Sequence, residues 1–333
     1  LRSAPLTPLR ERLMQLLRRV MQFNPSGRAR RNAAHHYDLG NGFYRLWLDA
    51  DMQYSCGYFE RGDETLEAAQ LAKKRHIAAK LRLSPGQHVL DIGCGWGGMA
   101  LYLAQVADVQ VTGITLSEEQ LARARERAEA AGLGDRVEFR LADYRDLEGR
   151  YDRIVSIGMA EHVGAPHLET YFDRVHDLLA PDGVALIHLI GSNAPPSYTG
   201  PFLAKYIFPG GYTPALSESM AAIEQSGAWL LDAEVWRLHY AETLAEWYRR
   251  FMAVADRVEA EQGARFVRMW ALYLAVCEGT FRHGSSCVHQ LQLARARDAV
   301  PLTRDYVGQE KAVLERRERL AGIAPSAADG LRP

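Results

Sequence analysis

The run Val89-Leu90-Asp91-Ile92-Gly93-Cys94-Gly95-Trp96-Gly97-Gly98 constrains this chain more than any other. A short apolar segment ends in a glycine-rich turn, and residues 99–105 then read as the first turns of a helix. Strand, tight loop and helix N-terminus in that order form a ligand-binding corner. Glycines let backbone N–H groups come close to a ligand, and the helix dipole favours a negative group there. Three glycines on alternate positions have no packing need to be there, so the corner points to a nucleotide-type cofactor.

The surrounding pattern supports an open α/β sheet. Helices are expected at Leu66–Leu81 and 118–131, and strands at Gln110–Thr115, Val137–Leu141 and Tyr151–Ile157. A helix over 167–179, closed by Pro181-Asp182-Gly183, leads to a strand at 184–190. Ser117 is a natural N-cap, with Glu118 and Glu119 in the first turn behind it. Such alternation predicts a mainly parallel sheet with helices on both faces. Residues 192–212, rich in proline, glycine and aromatics, break the rhythm and read as an insertion over the strand ends. Beyond it come a helix at 217–226, a strand at 229–237, long helices at 241–262 and 264–281, and a last strand at 288–294. The tail from Asp298 is polar and is expected to fray.

Residues 32–61 are too aromatic for a disordered linker and too irregular for one helix, and read as ordered loop and short helix over a site. Before them, Leu9, Leu13, Leu16, Leu17 and Val20 recur at helical spacing among Arg10, Arg12, Arg18 and Arg19. This basic amphipathic helix either packs on its own domain or contacts an anionic membrane surface. The expected organisation is therefore the basic helix and linker at 1–31, one α/β unit at 32–300 and a polar tail at 301–333.

Charge and cysteines narrow the chemistry. A net charge of −1 over 333 residues argues against a general nucleic-acid binder, although residues 1–31 alone carry a net of +7. Cys56, Cys94, Cys277 and Cys287 show neither metal-ligand spacing nor a paired framework, so no metal is expected and a reducing cytoplasm fits. Neither a signal peptide nor an apolar run near the ~20 residues of a bilayer span is visible.

Two cofactor classes compete for the loop. A nicotinamide dinucleotide wants G-x-G-x-x-G and an acid at the tip of the second strand. Here the glycines are Gly93, Gly95 and Gly97, and the second strand ends Thr115-Leu116-Ser117 without an acid. The shorter loop of S-adenosylmethionine methyltransferases, which cradles no pyrophosphate, fits better.

Further motifs stand in order along the chain: Tyr54-Ser55-Cys56-Gly57-Tyr58-Phe59, Gly113-Ile114-Thr115-Leu116-Ser117, Asp143-Tyr144-Arg145-Asp146-Leu147, Glu161-His162-Val163-Gly164 and Tyr206-Ile207-Phe208-Pro209-Gly210-Gly211. With the glycine loop, they resemble the cyclopropane-fatty-acid synthase and mycolic-acid cyclopropane synthase family over residues 35–294. The resemblance implies a class I, Rossmann-like methyltransferase fold: a seven-stranded, mostly parallel sheet with helices on both faces, an N-terminal helical extension and a helical lipid-site insertion.

The resemblance also implies roles. Tyr54 and Ser55 would touch the methionine part of S-adenosylmethionine, and Gly93, Gly95 and Gly97 would line its backbone path. Thr115 and Gln120, with Leu116 beside them, would hold the ribose, and Asp143 and Tyr144 would sit at the adenine. The family's substrate is a cis-alkene in a phospholipid or mycolic acyl chain. A weak alkene nucleophile needs a close, dry, aligned pocket. Closing the ring then needs a base, in this family a bound bicarbonate ion, with Glu161, His188 and Tyr273 as its holders and backbone from Cys56 and Ile190. Cys56 receives only a backbone or packing role, since this reaction needs no thiolate.

Ala160 stands where many relatives carry a bulky residue, and Leu189 where threonine is more usual, which leaves acyl specificity and product open. A lipid C-methyltransferase giving a methyl-branched or methylene product is the nearest alternative, and a catalytically silent lipid-binding relative the next. The implied partners are unsaturated phospholipid acyl chains at an anionic membrane surface, with a homodimer left open and no nucleic acid. The implied place is the cytoplasm, peripherally on the inner membrane face.

Overall fold

In the computed structural model, the described residues are Gln22 and 39–324. The basic helix expected before residue 21 lies outside them. Seven strands form one sheet: β1 (His88–Ile92), β2 (Gln110–Thr115), β3 (Val137–Leu141), β4 (Tyr151–Ile157), β5 (Leu179–Ser192), β6 (Trp229–Trp236) and β7 (Ser286–Ala294). Their order is β3-β2-β1-β4-β5-β7-β6. The first five in that order run parallel, and β7 is antiparallel to both β5 and β6. This is the expected doubly wound sheet.

Helices α1 (Asn41–Arg45), α2 (Leu66–Leu81), α3 (Gly98–Ala107), α4 (Glu118–Ala130), α5 (Leu168–Leu178), α6 (Pro201–Tyr206) and α7 (Leu216–Ser226) come in chain order. They are followed by α8 (His239–Ala253), α9 (Ala255–Gln262), α10 (Ala264–His283) and α11 (Asp305–Leu320). The two-residue period of a strand sorts the core onto the sheet's faces. Val89, Val111, Val137, Val155 and Leu186 pack in one cluster with α2, α3 and α4. Their neighbours Leu90, Ile92, Ile114, Ile154, Ala185 and Ile187 pack in another with α5 and α7. Local capping agrees with this layout: Ser117 Oγ accepts from Gln120 N at 3.3 Å, and Thr65 Oγ1 accepts from Ala68 N at 3.3 Å.

A third cluster caps the strand ends and is dominated by aromatics from α1 and the turn after it, α8 and α10, among them Phe43, Trp47, Trp247, Phe251 and Trp270. Rings meet edge to face, as Phe43 and Trp270 do at 4.9 Å and 88°. That geometry suits their quadrupoles. The stretch 39–61 is thus a short helix followed by irregular chain under this cap, as expected.

Three local expectations are corrected. The helix expected over 241–262 is two, because Val254 leaves the helical region at φ −114° and ψ 13°. β5 begins at Leu179, so Pro181-Asp182-Gly183 lies inside the strand instead of closing the preceding helix. The expected fraying tail holds α11, whose buried Tyr306, Leu314 and Glu318 dock on the domain. Arg75 on α2 donates to both Glu318 oxygens, and Tyr102 OH on α3 donates to Glu318 Oε1 at 2.6 Å.

Candidate active site

Two cavities meet at the carboxyl ends of β1, β2, β4 and β5, where open α/β sheets place ligands. The first is lined by the glycine loop together with Asp91, Thr115, Leu116, Gln120, Asp143, Tyr144 and Met159, and is roofed by Met52, Gln53, Tyr54 and Ser55. The loop requires its glycines for two different reasons. Gly93 and Gly95 line the cavity at φ +81° and +54°, a left-handed backbone that side chains resist. Gly97, at φ +83°, serves packing: a Cβ there would lie 2.6 Å from Phe139 Cζ. Gly98, which the residue-by-residue reading passed over, takes its place on the cavity wall.

The polar groups around this cavity are oriented. Thr115 Oγ1 donates to Gln120 Oε1 at 3.0 Å, so the Gln120 amide nitrogen is left for a ligand's oxygens. Asp143 accepts from the Arg145 backbone at 3.1 Å and from its guanidinium at 2.9 and 2.6 Å. Tyr144 is buried edge-on against Tyr171 at 5.3 Å. Asp91, at the tip of β1, is buried with Oδ2 unpartnered, and burial pushes its carboxyl up to about 7 against the opposing charge of Lys73. An orphaned carboxylate oxygen beside glycine backbone and an amide donor fits a cofactor that carries both an amino-acid end and a ribose. The acid before the glycines was legible as motif but had been given no role.

The second cavity is lined by Cys56, Glu161, His188, Ile190, Leu203, Phe208, Tyr240 and Phe281, among others. Tyr54, Ser55, Gly158 and His162 line both cavities, so the two are neighbours through one wall. Glu161 sits in the turn after β4. Its Oε1 accepts from Ile190 N at 2.6 Å, while Oε2 is buried without a partner. Burial pushes this carboxyl up to about 7, partly countered by the Ile190 bond.

His188, on β5, is buried and burial drives it well below the usual imidazole range, so the ring is neutral. With Gln290 Nε2 donating to Nδ1 across 3.1 Å, the ring's proton sits on Nε2. The tautomer is assigned from that bond. Tyr273 on α10 lines neither cavity; it stands behind Tyr54, with the two hydroxyls 2.8 Å apart. Burial holds its phenol well above 10, so it remains protonated. Cys56 donates from Sγ to the Gly57 carbonyl at 3.2 Å, and burial lifts its thiol far above the usual range, which leaves no thiolate. The second cavity therefore combines one unpartnered acceptor with neutral donors, a donor set that fits a small oxyanion carrying its own hydroxyl.

His162 was not singled out from the sequence. Burial pushes it down to about 4, placing a neutral imidazole on the wall the two cavities share. The signal was its position directly after Glu161. Among the described residues, no helix is long and apolar enough to cross a membrane.

Comparison with known proteins gives the same picture. Residues 25–291 match the family model described as mycolic acid cyclopropane synthetase. The chain is 42% identical over 265 residues to a probable fatty acid methyltransferase of Pseudomonas putida, covering 78% of this chain and 67% of that protein. It is 46% identical over 250 residues to the cyclopropane-fatty-acyl-phospholipid synthase of Escherichia coli (strain K12), covering 74% of this chain and 63% of the enzyme. It thus spans about two thirds of the length of these curated relatives. Among solved structures, the mycolic acid cyclopropane synthase CmaA1 complexed with SAH and CTAB superposes with a TM-score of 0.76 at 32% identity. That superposition covers 82% of this chain and 99% of the other.

Proposed function

The chain belongs to the mycolic acid cyclopropane synthetase family, and from that premise we propose that it transfers a methylene unit from S-adenosylmethionine to the cis double bond of an unsaturated, phospholipid-bound acyl chain. The observation that carries this reading is the shared wall: Tyr54, Ser55, Gly158 and His162 line both the cofactor cavity and its neighbour, whose lining mixes aromatic and hydroxyl side chains. A cofactor methyl and an alkene could meet across that wall.

The first cavity would hold the cofactor. Tyr54 and Ser55 face its methionine part, Gly93 and Gly95 its backbone path, Thr115, Leu116 and Gln120 its ribose, and Asp143 and Tyr144 its adenine. Gly97 acts by letting α3 start close against Phe139. When bound, the sulfonium cofactor supplies an electrophilic methyl group, and a bicarbonate ion in the second cavity supplies a base outside the polypeptide. Glu161 Oε2, when ionised, accepts the hydroxyl of that anion, and neutral His188 donates from Nε2 to its oxygens. Tyr273 would act through the hydroxyl pair it makes with Tyr54, Cys56 would contribute backbone, and Ile190, whose N–H is given to Glu161, would act by orienting that carboxyl. Phe208, Tyr240 and Phe281 keep water out of the site where a cationic carbon develops.

The acyl chains would come from an anionic membrane surface, with the basic segment 1–31 as the contact; it lies outside the described residues. A second reading, a C-methyltransferase giving a methyl-branched or methylene lipid, is favoured by the likeness to the Pseudomonas putida protein. One experiment separates the outcomes: incubation with methyl-labelled S-adenosylmethionine and unsaturated phospholipid vesicles, followed by mass spectrometry of the fatty acids. A product heavier by one CH2 that no longer carries a C=C, and therefore carries a ring, is expected. The same mass with a C=C retained is a methyl- or methylene-branched olefin and selects the second reading, and no transfer with intact cofactor binding selects a silent lipid-binding relative.

A further inference from the structure

Lys73 on α2 has no exposed surface, and its ammonium donates to Gln53 Oε1 at 2.7 Å and to Ser55 Oγ at 2.8 Å. The same stretch of α2 makes two more ties to the irregular segment 51–55. Gln70 Nε2 donates to the Ser55 carbonyl at 2.8 Å, and Lys74 Nζ donates to Asp51 Oδ2 at 2.6 Å. That segment supplies Met52, Gln53, Tyr54 and Ser55 to the cofactor cavity. Packing alone does not call for an ammonium here, because an apolar side chain of similar length fills space without the cost of burying a charge.

What only a lysine provides is polarity. An ammonium only donates, and the neutral amine that burial allows above about pH 7 still has an N–H for each of the two contacts with Gln53 and Ser55. Ser55 Oγ must therefore act as acceptor toward Lys73, which leaves the serine's own hydrogen to be donated elsewhere. Gln53 is fixed in the same way: Oε1 takes the Lys73 bond, and Nε2 donates to Asp51 Oδ2 at 2.9 Å. Ser55 thus stands on the cavity wall as a committed donor. On the same cavity, Asp91 presents its unpartnered Oδ2, an acceptor when the carboxyl is ionised. A donor and an anionic acceptor lining one cavity are complementary to a carboxylate and an ammonium carried by one carbon.

We propose that Lys73 is a positioning residue for the amino-acid end of the cofactor: by occupying Ser55 as an acceptor, it commits the Ser55 hydroxyl hydrogen to the cofactor's carboxylate. This role rests on the cofactor reading above and adds to it which group of the ligand Ser55 meets and what sets its direction.

The test compares two probes on the full chain by calorimetry. S-adenosylhomocysteine carries the amino-acid end, and 5′-methylthioadenosine lacks it. Lys73→Met is expected to weaken S-adenosylhomocysteine about tenfold or more while leaving 5′-methylthioadenosine within about twofold. Ser55→Ala should show the same selective loss, and the double variant should bind no more weakly than the weaker single, because both changes remove one bond. Equal weakening of both probes means a general packing role and overturns the proposal, as does unchanged S-adenosylhomocysteine affinity in a folded Lys73→Met. Should Lys73→Met fail to fold, Lys73→Gln, whose amide can accept as well as donate, decides: selective loss of S-adenosylhomocysteine supports the assignment, and unchanged affinity overturns it. A wild-type chain that binds neither probe overturns the cofactor reading itself, which separates that failure from this one.

Discussion

The backbone N–H of Ile190 donates to Glu161 Oε1 at 2.6 Å and leaves Glu161 Oε2 buried without a partner. One bond thus fixes the rotation of the carboxyl and reserves its second oxygen. Leaving such an oxygen unpaired costs on the order of 1–3 kcal/mol, which a fold has no reason to bear unless a ligand completes it.

The first prediction follows from that cost. Burial raises the folded-state pKa of Glu161 to about 7, from an ordinary 4.5. A raised folded pKa means stability that is fully present below about pH 4.5 and lost as pH rises through 7. Glu161→Gln keeps an oxygen for Ile190 and never ionises. It should melt close to wild type at pH 4.5 and be more stable at pH 8, by on the order of 2–3 kcal/mol. Thermal melts at the two pH values check this, and a constant difference between them would refute it.

Two glycines in one loop should fail in opposite ways. A Cβ on Gly95 meets nothing within 4 Å and projects beside the cavity that Gly95 lines. Gly95→Val should therefore bear the left-handed strain of about 1–2 kcal/mol, stay folded and lose S-adenosylhomocysteine binding. Gly97→Ala adds to the same strain a contact of 2.6 Å with Phe139 and 3.1 Å with Ala124. It should lose about 3 kcal/mol or more of stability while any folded fraction still binds. Urea titration beside calorimetry distinguishes the two patterns.

Much of this layout was legible because local signals and fold agree. The glycine loop after an apolar strand, Ser117 as a cap and the alternation around them led to the right sheet, and Glu161 and His188 did fall on one cavity wall. What escaped depends on contacts distant in sequence. α11 reads as polar because its apolar stripe is narrow, and its docking turns on a carboxylate, Glu318, meeting Arg75 from 243 residues away. Lys73 looked like one more charge on a helix, and nothing local says that Ser55 and Gln53 fold over it. The break at Val254 has no proline or glycine to announce it.

Glu318 therefore makes its own prediction. Its side chain is 4% exposed and takes Arg75, itself 13% exposed, together with the Tyr102 hydroxyl. Glu318→Ala leaves a buried guanidinium with the outer Glu315 at 3.1 Å and Glu60 at 4.0 Å, and a phenol without its acceptor. A loss of about 3 kcal/mol is expected, with early detachment of α11. Hydrogen exchange should show the amides of 305–320 opening first. Protection equal to wild type would mean that apolar contacts alone hold the helix.

The basic segment before the described residues should act as an electrostatic tether. Each arginine near an anionic surface is worth roughly 1 kcal/mol, screened by salt. Removing residues 1–22 should weaken sedimentation with anionic vesicles, most of all at low salt. Unchanged sedimentation would mean that the segment packs on its own domain.

The last prediction concerns the base. A protein carboxylate set directly against a nascent carbon cation risks being alkylated, whereas a bound, exchangeable anion can be replaced. The protonated Tyr54–Tyr273 pair at 2.8 Å and the Nε2–H of His188 are donors for such an anion, and Glu161 Oε2 is its acceptor. Losing one charge-assisted contact costs on the order of 1.5–3 kcal/mol, or roughly ten- to a hundredfold in rate. Glu161→Gln should therefore lower turnover strongly with S-adenosylmethionine affinity nearly intact, and Tyr273→Phe should do so more mildly, through a neutral bond. Depleting bicarbonate should slow the wild type, and adding it back should restore the rate; in Glu161→Gln, far more bicarbonate should be needed for the same recovery. If degassed wild-type enzyme turns over at full speed, the proton must go to the polypeptide. Glu161, with its one unpartnered oxygen and a pKa held near 7, then becomes the acceptor in place of the anchor.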